Sequence, residues 1–307
     1  MLFHAWSSAR YAFALPEGHR FPMEKYERVR RRVLDEGIVD AACLHDPDQV
    51  PADDLLRVHT RAYVDRFTSG TLEPAAMRRI GLPWSPALVE RSLRAVGGTC
   101  EATAFALEHG IAMNLAGGTH HAFPDHGEGF CVFNDVAVAI RAQQHRRRVT
   151  RAAIIDLDVH QGNGTHAIFA ADPDVYTFSM HGRRNYPFRK VAGNLDVELE
   201  DDTTDDDYLA RLAGELPGVL ERARPDLVVY LAGVDVHEHD RLGRLRLTAG
   251  GLARRDVLVL QHCREVGLPV VITMAGGYGR DVEATVELHV QTARVASQFT
   301  RSAPGGR

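Results

Sequence analysis

Cysteine and lysine are both scarce in this 307-residue chain. The four cysteines are Cys43, Cys100, Cys131 and Cys263. They form no CxxC pair, which argues against a zinc knuckle and against a disulfide framework. Lysine occurs only at positions 25 and 190, so arginine carries nearly all of the positive charge. The formal net charge of -5 gives no overall basic footprint, and direct nucleic-acid binding is therefore not expected.

Long apolar runs are also absent. No stretch approaches the roughly 18 consecutive apolar residues of a transmembrane helix, and the first residues lack a signal-peptide pattern. We therefore expect a cytoplasmic protein without a membrane span. No internal repeat or linker divides the chain, so the sequence predicts one domain over residues 1–300. The Gly- and Pro-containing tail at 301–307 is expected to be disordered.

Strand-like apolar runs alternate with segments of helical periodicity along the chain. The runs that predict strands are 111–115, 153–157, 227–232 and 270–274. The segments that predict helices are 24–36, 86–109, 134–147, 205–222 and 248–266. This alternation predicts an α/β fold whose parallel sheet is covered by helices on both faces. The acidic run 198–207 is expected to be a solvated loop that leads into a helix N-terminus.

The most informative motif lies at the end of the run 153–157, where Asp156, Asp158 and His160 occupy alternate positions. Residues two apart on a strand point to the same side, so these side chains can converge where the strand ends. Polar groups at that place are costly unless a cation or hydrogen bonds compensate them. The pattern therefore favours a metal site over simple loop-end caps. Glycines at 162 and 164 allow backbone to approach the site closely.

A second apolar run, 227–232, leads into Gly233-Val234-Asp235. Asp235 is thus a candidate third ligand beside Asp158 and His160. One nitrogen and two carboxylates suit a borderline divalent ion that keeps open positions. Such a ligand set favours a catalytic site over a closed structural one.

Two further strand ends carry polar groups suited to acid-base chemistry. His120 and His121 follow a Gly-Gly pair, although two adjacent histidines alone are also typical of a solvated loop. Tyr278 lies in a Gly-Gly-Tyr-Gly turn, where its hydroxyl can reach a substrate oxygen, although this short motif also occurs in ordinary turns. All the candidate residues follow strands, which is where open α/β sheets place their active sites.

Together and in this order, the motifs resemble those of the histone deacetylase superfamily over nearly the whole chain. The resemblance implies a single-domain arginase/deacetylase-type α/β fold and a zinc-dependent amidohydrolase that acts on acylated lysine side chains. It implies that Asp158, His160 and Asp235 bind one catalytic zinc ion. The segments 160–164, 240–245 and 21–26 look closest to class IV and related bacterial members.

The same resemblance implies roles for the other polar residues. Tyr278 would polarise the substrate carbonyl, and His121 would act as the base. His120, oriented by Asp156, would adjust the electrostatics of the site. Adjacency in the sequence would allow either histidine to be the base.

Two residues near the metal motif depart from the class I pattern. Gln161 replaces a histidine, and Asn163 replaces an aspartate that in the family contacts the second histidine. A neutral Asn163 would stabilise a charged His121 less than a carboxylate would. Other active classes share this change, so it predicts a tuned mechanism and not a loss of catalysis.

The resemblance also implies a narrow tunnel for the acyl-lysine side chain. Gly129 matches the substrate-amide contact and Phe130 one aromatic wall, although a core position is also ordinary for phenylalanine. Tyr186 is a candidate for the facing wall, where 181–188 departs from the class I pattern. The class IV likeness predicts hydrolysis of medium or long acyl chains, because each buried methylene contributes roughly 0.8 kcal/mol. A short pocket, and hence a plain deacetylase, is the competing expectation.

Structural potassium or sodium ions are a further implication of the resemblance. The first would bind behind the zinc, to oxygens of Asp156, Asp158, Ser179, His160 and Met180. A second would lie near Phe169, Asp172 and Val175.

Three other functions compete with a lysine deacylase that acts on a protein or a small acylated amine. An acetylpolyamine amidohydrolase would favour acidic residues at the tunnel mouth, and the acids to locate are Asp125, Glu128, Glu238 and Asp240. A two-metal enzyme of the ureohydrolase type would need more bridging carboxylates than the motifs supply. A non-catalytic acyl-lysine binding module would be expected to lack Tyr278 or one of the paired histidines.

Overall fold

One eight-stranded sheet forms the centre of the protein, which is described here by a computed structural model for residues 2–300. The strands are β1 Ala5–Trp6, β2 Leu44–His45, β3 Ile111–Asn114, β4 Ala152–Asp156, β5 Val175–Gly182, β6 Leu195–Leu199, β7 Leu227–Leu231 and β8 Val270–Thr273. Their order across the sheet is β2-β1-β3-β8-β7-β4-β5-β6, and every pairing is parallel. The predicted parallel sheet is therefore confirmed. The tail 301–307, for which the sequence predicts disorder, lies outside the described residues.

Ten α-helices surround the sheet within residues 2–300. They are α1 Lys25–Asp35, α2 Ala52–Leu55, α3 Arg61–Ser69, α4 Pro74–Ile80, α5 Pro86–His109, α6 Asp135–His145, α7 Asn163–Phe169, α8 Asp205–Ala223, α9 Ala249–Glu265 and α10 Val282–Ser297. None of these helices is both long enough and apolar enough to span a membrane. The five helices expected from the sequence agree with the structure to within two residues at each end.

Two separate apolar cores lie on the two faces of the sheet. Ile154 of β4 and Val229 of β7 pack with Ile140 of α6 in one core. Their chain neighbours Ile155 and Tyr230 belong to the other core, together with residues of α8, α9 and α10. This alternation explains why β4 and β7 are continuously apolar, because strands covered on both faces bury every residue.

The expectation for the acidic run 198–207 was partly wrong. Glu198 and Leu199 belong to β6, which pairs with β5, and Leu199 is buried. The ladder hydrogen bonds and this burial outweigh the charge of the neighbouring residues. The remainder of the expectation is confirmed, because α8 begins with three aspartates at 205–207.

A buried ion pair connects the central strands to two helices. Arg255 and Asp256 of α9 are both fully buried, and their side chains are 2.9 Å apart. The Arg255 guanidinium also donates to the carbonyl oxygens of Gly233 and Leu157, at 2.6 and 3.4 Å. Asp256 accepts hydrogen bonds from Tyr230 of β7 and from α10. The pair thus holds the backbone where β4 and β7 end, next to the candidate site.

Candidate active site

The candidate site lies at the carboxyl ends of four neighbouring strands. β3, β8, β7 and β4 are adjacent in the sheet, so the segments that follow them meet at one edge. These segments are 115–122, 274–279, 232–236 and 157–163. Each carries one of the motifs found in the sequence, which is why residues far apart in the chain come together here.

Asp158, His160 and Asp235 form a buried group whose potential ligand atoms all lie within 4.8 Å of one another. His160 Nδ1 is 2.9 Å from Asp158 Oδ1 and 3.2 Å from Asp235 Oδ2. Ligand atoms of a tetrahedral zinc site are about 3.3 Å apart. The three residues therefore fit around a single divalent ion. Among residues 2–300 no second group of this kind occurs.

The charge of this group also calls for a cation. Asp235 Oδ2 is buried and accepts no hydrogen bond from any described residue. Burial, and then the neighbouring Asp158 carboxylate, raise the pKa of Asp235 to about 7. A bound divalent ion would remove this repulsion. Gly276 makes the arrangement possible, because a Cβ there would lie 1.9 Å from Asp235 Oδ2.

His120 forms a buried pair with Asp156. His120 Nδ1 lies 2.7 Å from Asp156 Oδ2. Burial alone would lower the pKa of His120, but the charges of Asp156 and Asp158 outweigh it and raise that pKa to about 9. The pair therefore favours a protonated His120 at neutral pH. The close approach expected at Gly162 is present, since a Cβ there would lie 2.4 Å from Asp156 Oδ2.

His121 is connected to a carboxylate through Asn163. His121 Nδ1 lies 2.7 Å from Asn163 Oδ1, and Asn163 Nδ2 donates to Glu128 Oε1 at 2.7 Å. Because an ionised carboxylate only accepts, Glu128 fixes the orientation of the amide. His121 must then donate from Nδ1, which leaves Nε2 free to accept a proton. Burial, and then the nearby His120 and His160, lower the pKa of His121 well below its ordinary value.

Tyr278 lies beside Asp158, His160 and Asp235, which are called the metal-ligand group below. Its ring centroid is 6.3 Å from that of His160. Burial, and then the charges of Asp158 and Asp235, raise the pKa of Tyr278. The hydroxyl therefore stays protonated and can donate a hydrogen bond. The backbone of this turn is held by Asp240, which accepts from the Tyr278 N–H at 2.6 Å. The buried Lys25 donates to the Gly277 carbonyl at 3.0 Å.

Comparison with known proteins identifies the family. Residues 19–293 match the model of the histone deacetylase domain. The chain belongs to the histone deacetylase family.

Several relatives match most of the chain. Histone deacetylase 2 of Arabidopsis thaliana is 34% identical over 269 residues, which cover 85% of this chain and 70% of that protein. The histone deacetylase-like amidohydrolase of Pseudomonas aeruginosa is 31% identical and covers 85% of this chain and 73% of its own length. An uncharacterized protein of Picosynechococcus is 47% identical over 93% of this chain and 95% of its own length.

A solved structure supports the fold. The HDA15 HD domain superposes with a TM-score of 0.79 at 20% identity, over 96% of this chain and 90% of that one. The single-domain deacetylase-type fold expected from the sequence is thereby confirmed.

The residues expected to form the substrate tunnel lie at one wide cleft of about 1,020 Å³ in front of the metal-ligand group. The Phe130 ring lies 5.8 Å from that of Tyr278, and Tyr186 meets His121 edge-on at 4.9 Å. Phe130 is partly exposed and is thus not a simple core residue. Gly129 has a φ of +55°, and a Cβ there would lie 2.6 Å from His121 Cδ2, so this position requires glycine.

Asp135 holds the turn before the paired histidines, a role that the sequence patterns did not predict. Its carboxylate accepts from the backbone N–H groups of Gly118 and Thr119, at 3.1 and 2.8 Å. It also accepts from the Thr99 hydroxyl at 2.6 Å. The only signal in the sequence is an Asn-Asp pair at the start of a helix, which is ordinary capping chemistry.

Gln161 and Asn163, the two departures from the class I pattern, have different surroundings. Gln161 is buried and bonds to Asp196 and to both backbone groups of Val191. It therefore holds the segment before β6. Asn163, in contrast, contacts His121 directly.

The residues expected around alkali ions are also placed by the fold. Asp156 and Ser179 are register partners on β4 and β5, and the Ser179 hydroxyl is 2.9 Å from His181 Nδ1. Asp172 is already engaged, since its carboxylate pairs with Arg141 and accepts from the Asp174 N–H.

Proposed function

We propose that the protein is a zinc-dependent amidohydrolase that removes acyl groups from lysine side chains. The observation that carries the proposal is the arrangement around the metal-ligand group. A histidine with a free Nε2, a second histidine paired with a carboxylate and a protonated tyrosine all face Asp158, His160 and Asp235. Amide hydrolysis requires such a base, such an electrostatic partner and such a donor.

The residues of this chain would act in a defined order. When bound, zinc would polarise the amide carbonyl and acidify water. His121 would accept the water proton at Nε2 and later deliver it to the leaving amine. Tyr278 would donate to the oxygen that becomes negative, and its high pKa keeps this proton in place. His120 would stay charged through Asp156 and stabilise the developing negative charge.

Of the four acids that a polyamine enzyme would use, Asp125, Glu128 and Asp240 have other partners, and Glu238 is exposed but does not line the cleft. Glu128 accepts from Asn163, and Asp240 accepts from the N–H groups of Tyr278, Leu242 and Gly243. Asp125 pairs with His126. Among the described residues that line the cleft there is no acid. These contacts favour acyl-lysine over a cationic acetylpolyamine.

The other two alternatives also have less support. A ureohydrolase-type centre needs a second metal with bridging carboxylates, and the described residues converge on one set of three ligands. A binding module without catalysis would not need Tyr278 and both histidines beside that set. Their joint presence favours an enzyme.

A direct assay tests the proposal. The zinc-loaded protein is incubated with a peptide that contains acetyl-lysine and, separately, with acetylputrescine, and release of the free amine is measured. We expect hydrolysis of the peptide to exceed that of acetylputrescine. Faster hydrolysis of acetylputrescine, or none of either compound by a protein that binds one zinc ion, would overturn the proposal.

A further inference from the structure

Five arginines surround the mouth of the wide cleft in front of the metal-ligand group: Arg20, Arg79, Arg184, Arg241 and Arg244. All five side chains are exposed. Within residues 2–300 no aspartate or glutamate lines the same cleft. The chain as a whole carries a net charge of -5, so this positive rim is a local feature that opposes the overall charge.

Few of these charges are neutralised by neighbouring residues. Asp201 is shared by Arg184 and Arg244, at 3.6 and 3.1 Å. Arg241 donates only to carbonyl oxygens, those of Tyr278 and Arg20. In the described part of the chain no carboxylate lies within 4.0 Å of the guanidinium groups of Arg20, Arg79 and Arg241. The rim therefore keeps an excess of positive charge beside the catalytic residues.

The arginines come from four separate segments of the chain. Arg20 precedes α1, Arg79 lies on α4, Arg184 follows β5, and Arg241 and Arg244 follow β7. Positive charge thus lies around the mouth and does not converge on one small pocket. This distribution suits an extended ligand with acidic groups on both sides of the residue that enters the tunnel.

We propose that the enzyme selects acyl-lysine in acidic peptide segments, with aspartate or glutamate flanking the acylated residue. This inference rests on the proposed function and extends it to the substrate class. Guanidinium groups bind carboxylates with charge-assisted, often bidentate hydrogen bonds. Lysine or arginine at the same peptide positions would instead be repelled, so basic segments should be poor substrates.

Three peptides with one central acetyl-lysine test the proposal. Their flanking residues are glutamate, glutamine or lysine, and kcat/KM is measured at 50 and 300 mM NaCl. At the lower salt concentration we expect the glutamate peptide to exceed the lysine peptide by about tenfold or more, mainly through KM. At 300 mM NaCl the ratio should shrink, because added salt screens exposed charges.

A double variant examines the rim itself. Arg20→Gln/Arg79→Gln should reduce the preference for the glutamate peptide severalfold. Arg241 is left unchanged because it holds the carbonyl of Tyr278. The matched control is Arg31→Gln/Arg61→Gln, which removes the same charge from exposed positions outside the cleft and should keep the preference. Equal kcat/KM for the glutamate and lysine peptides, or equal effects of the two double variants, would overturn the proposal.

Binding measurements separate this proposal from the proposed function. Fluorescence anisotropy gives the affinity of each labelled peptide without turnover. If no peptide is hydrolysed, the proposed function fails, while tighter binding of the glutamate peptide to the wild type than to Arg20→Gln/Arg79→Gln still supports the rim. If the glutamine peptide is hydrolysed and the glutamate peptide has no advantage in affinity or kcat/KM, the rim proposal alone fails.

Discussion

His121 Nδ1 and Asn163 Oδ1 are 2.7 Å apart, and this contact determines which nitrogen of the histidine is free. The orientation of the Asn163 amide follows from Glu128, which accepts a hydrogen bond from Nδ2 of that asparagine. In place of the class I aspartate, the amide of Asn163 contacts His121, and the carboxylate of Glu128 contacts that amide. Negative charge is retained near His121 but lies one residue further away, which lowers its effect on the histidine.

A charge exchange between Asn163 and Glu128 tests this relationship. In Asn163→Asp/Glu128→Gln the carboxylate should contact His121 directly while residue 128 supplies the amide donor. The added charge should raise the pKa of His121 by roughly one to three units. Because the base acts when unprotonated, the acid limb of kcat/KM against pH should move to higher pH.

The single variants serve as controls for that experiment. In Asn163→Asp alone, two carboxylates would face each other and share a proton, so a smaller shift is expected. Glu128→Gln alone adds no negative charge and should not move the acid limb upward. An active, folded double variant with the wild-type pH profile would show that Asn163 does not control the catalytic base.

Tyr278→Phe should keep the metal and lose most of kcat. In the proposed mechanism the phenol donates to the oxygen that gains charge, and removing one such donor costs on the order of a hundredfold or more. Steady-state kinetics with zinc content checks this prediction, and Tyr176→Phe, on β5, is the matched control. A rise in KM with unchanged kcat would make Tyr278 a binding residue only.

Breaking the Arg255–Asp256 pair should destabilise the fold strongly. Asp256→Ala would leave a fully buried guanidinium without its carboxylate, which typically costs about 3–5 kcal/mol. Urea unfolding followed by circular dichroism measures the loss. Arg255→Met/Asp256→Leu removes both charges and should recover part of the stability. If Asp256→Ala were as stable as the wild type, this account of the pair would be contradicted.

We expect a small cavity beside Asp158 to limit the acyl groups that the proposed enzyme accepts. Phe21, Leu82 and Val96 are among its walls, and its volume is about 50 Å³. One water needs roughly 10–15 Å³ on this measure, so the cavity holds only a few waters or a short acyl group. We therefore expect kcat/KM to fall from acetyl- to octanoyl- and myristoyl-lysine in one peptide, in contrast to the expectation from the class IV likeness. Equal or faster removal of myristoyl would show that the cavity opens to admit long chains.

The convergence of the motif residues could be predicted from the sequence. Asp158, Asp235 and Tyr278 each follow an apolar run, and the carboxyl ends of parallel strands meet at one edge. Long helices such as α5 were predicted well because a serine cap and a proline mark the start. For these features, local pattern and final structure agree.

Other features depend on contacts that leave no local pattern. Glu128 meets Asn163 from 35 positions away, and Asp240 meets Tyr278 from 38 positions away. The helix α10 contains several valines and threonines, which favour strands, and packing against α1 and α9 stabilises it as a helix together with the N-cap of Asp281. The strands β1 and β2, at one end of the sheet, have two residues each, too few for periodicity to show.

Metal content and activity measured together test the central claim most directly. Asp235→Ala removes one of the three proposed ligands and should abolish both stoichiometric zinc and amidase activity while the fold is retained. Zinc is quantified by mass spectrometry, activity by hydrolysis of an acetyl-lysine peptide, and folding by circular dichroism. The account predicts about one zinc per wild-type chain and loss of both properties in the variant. Full activity in folded Asp235→Ala would contradict it.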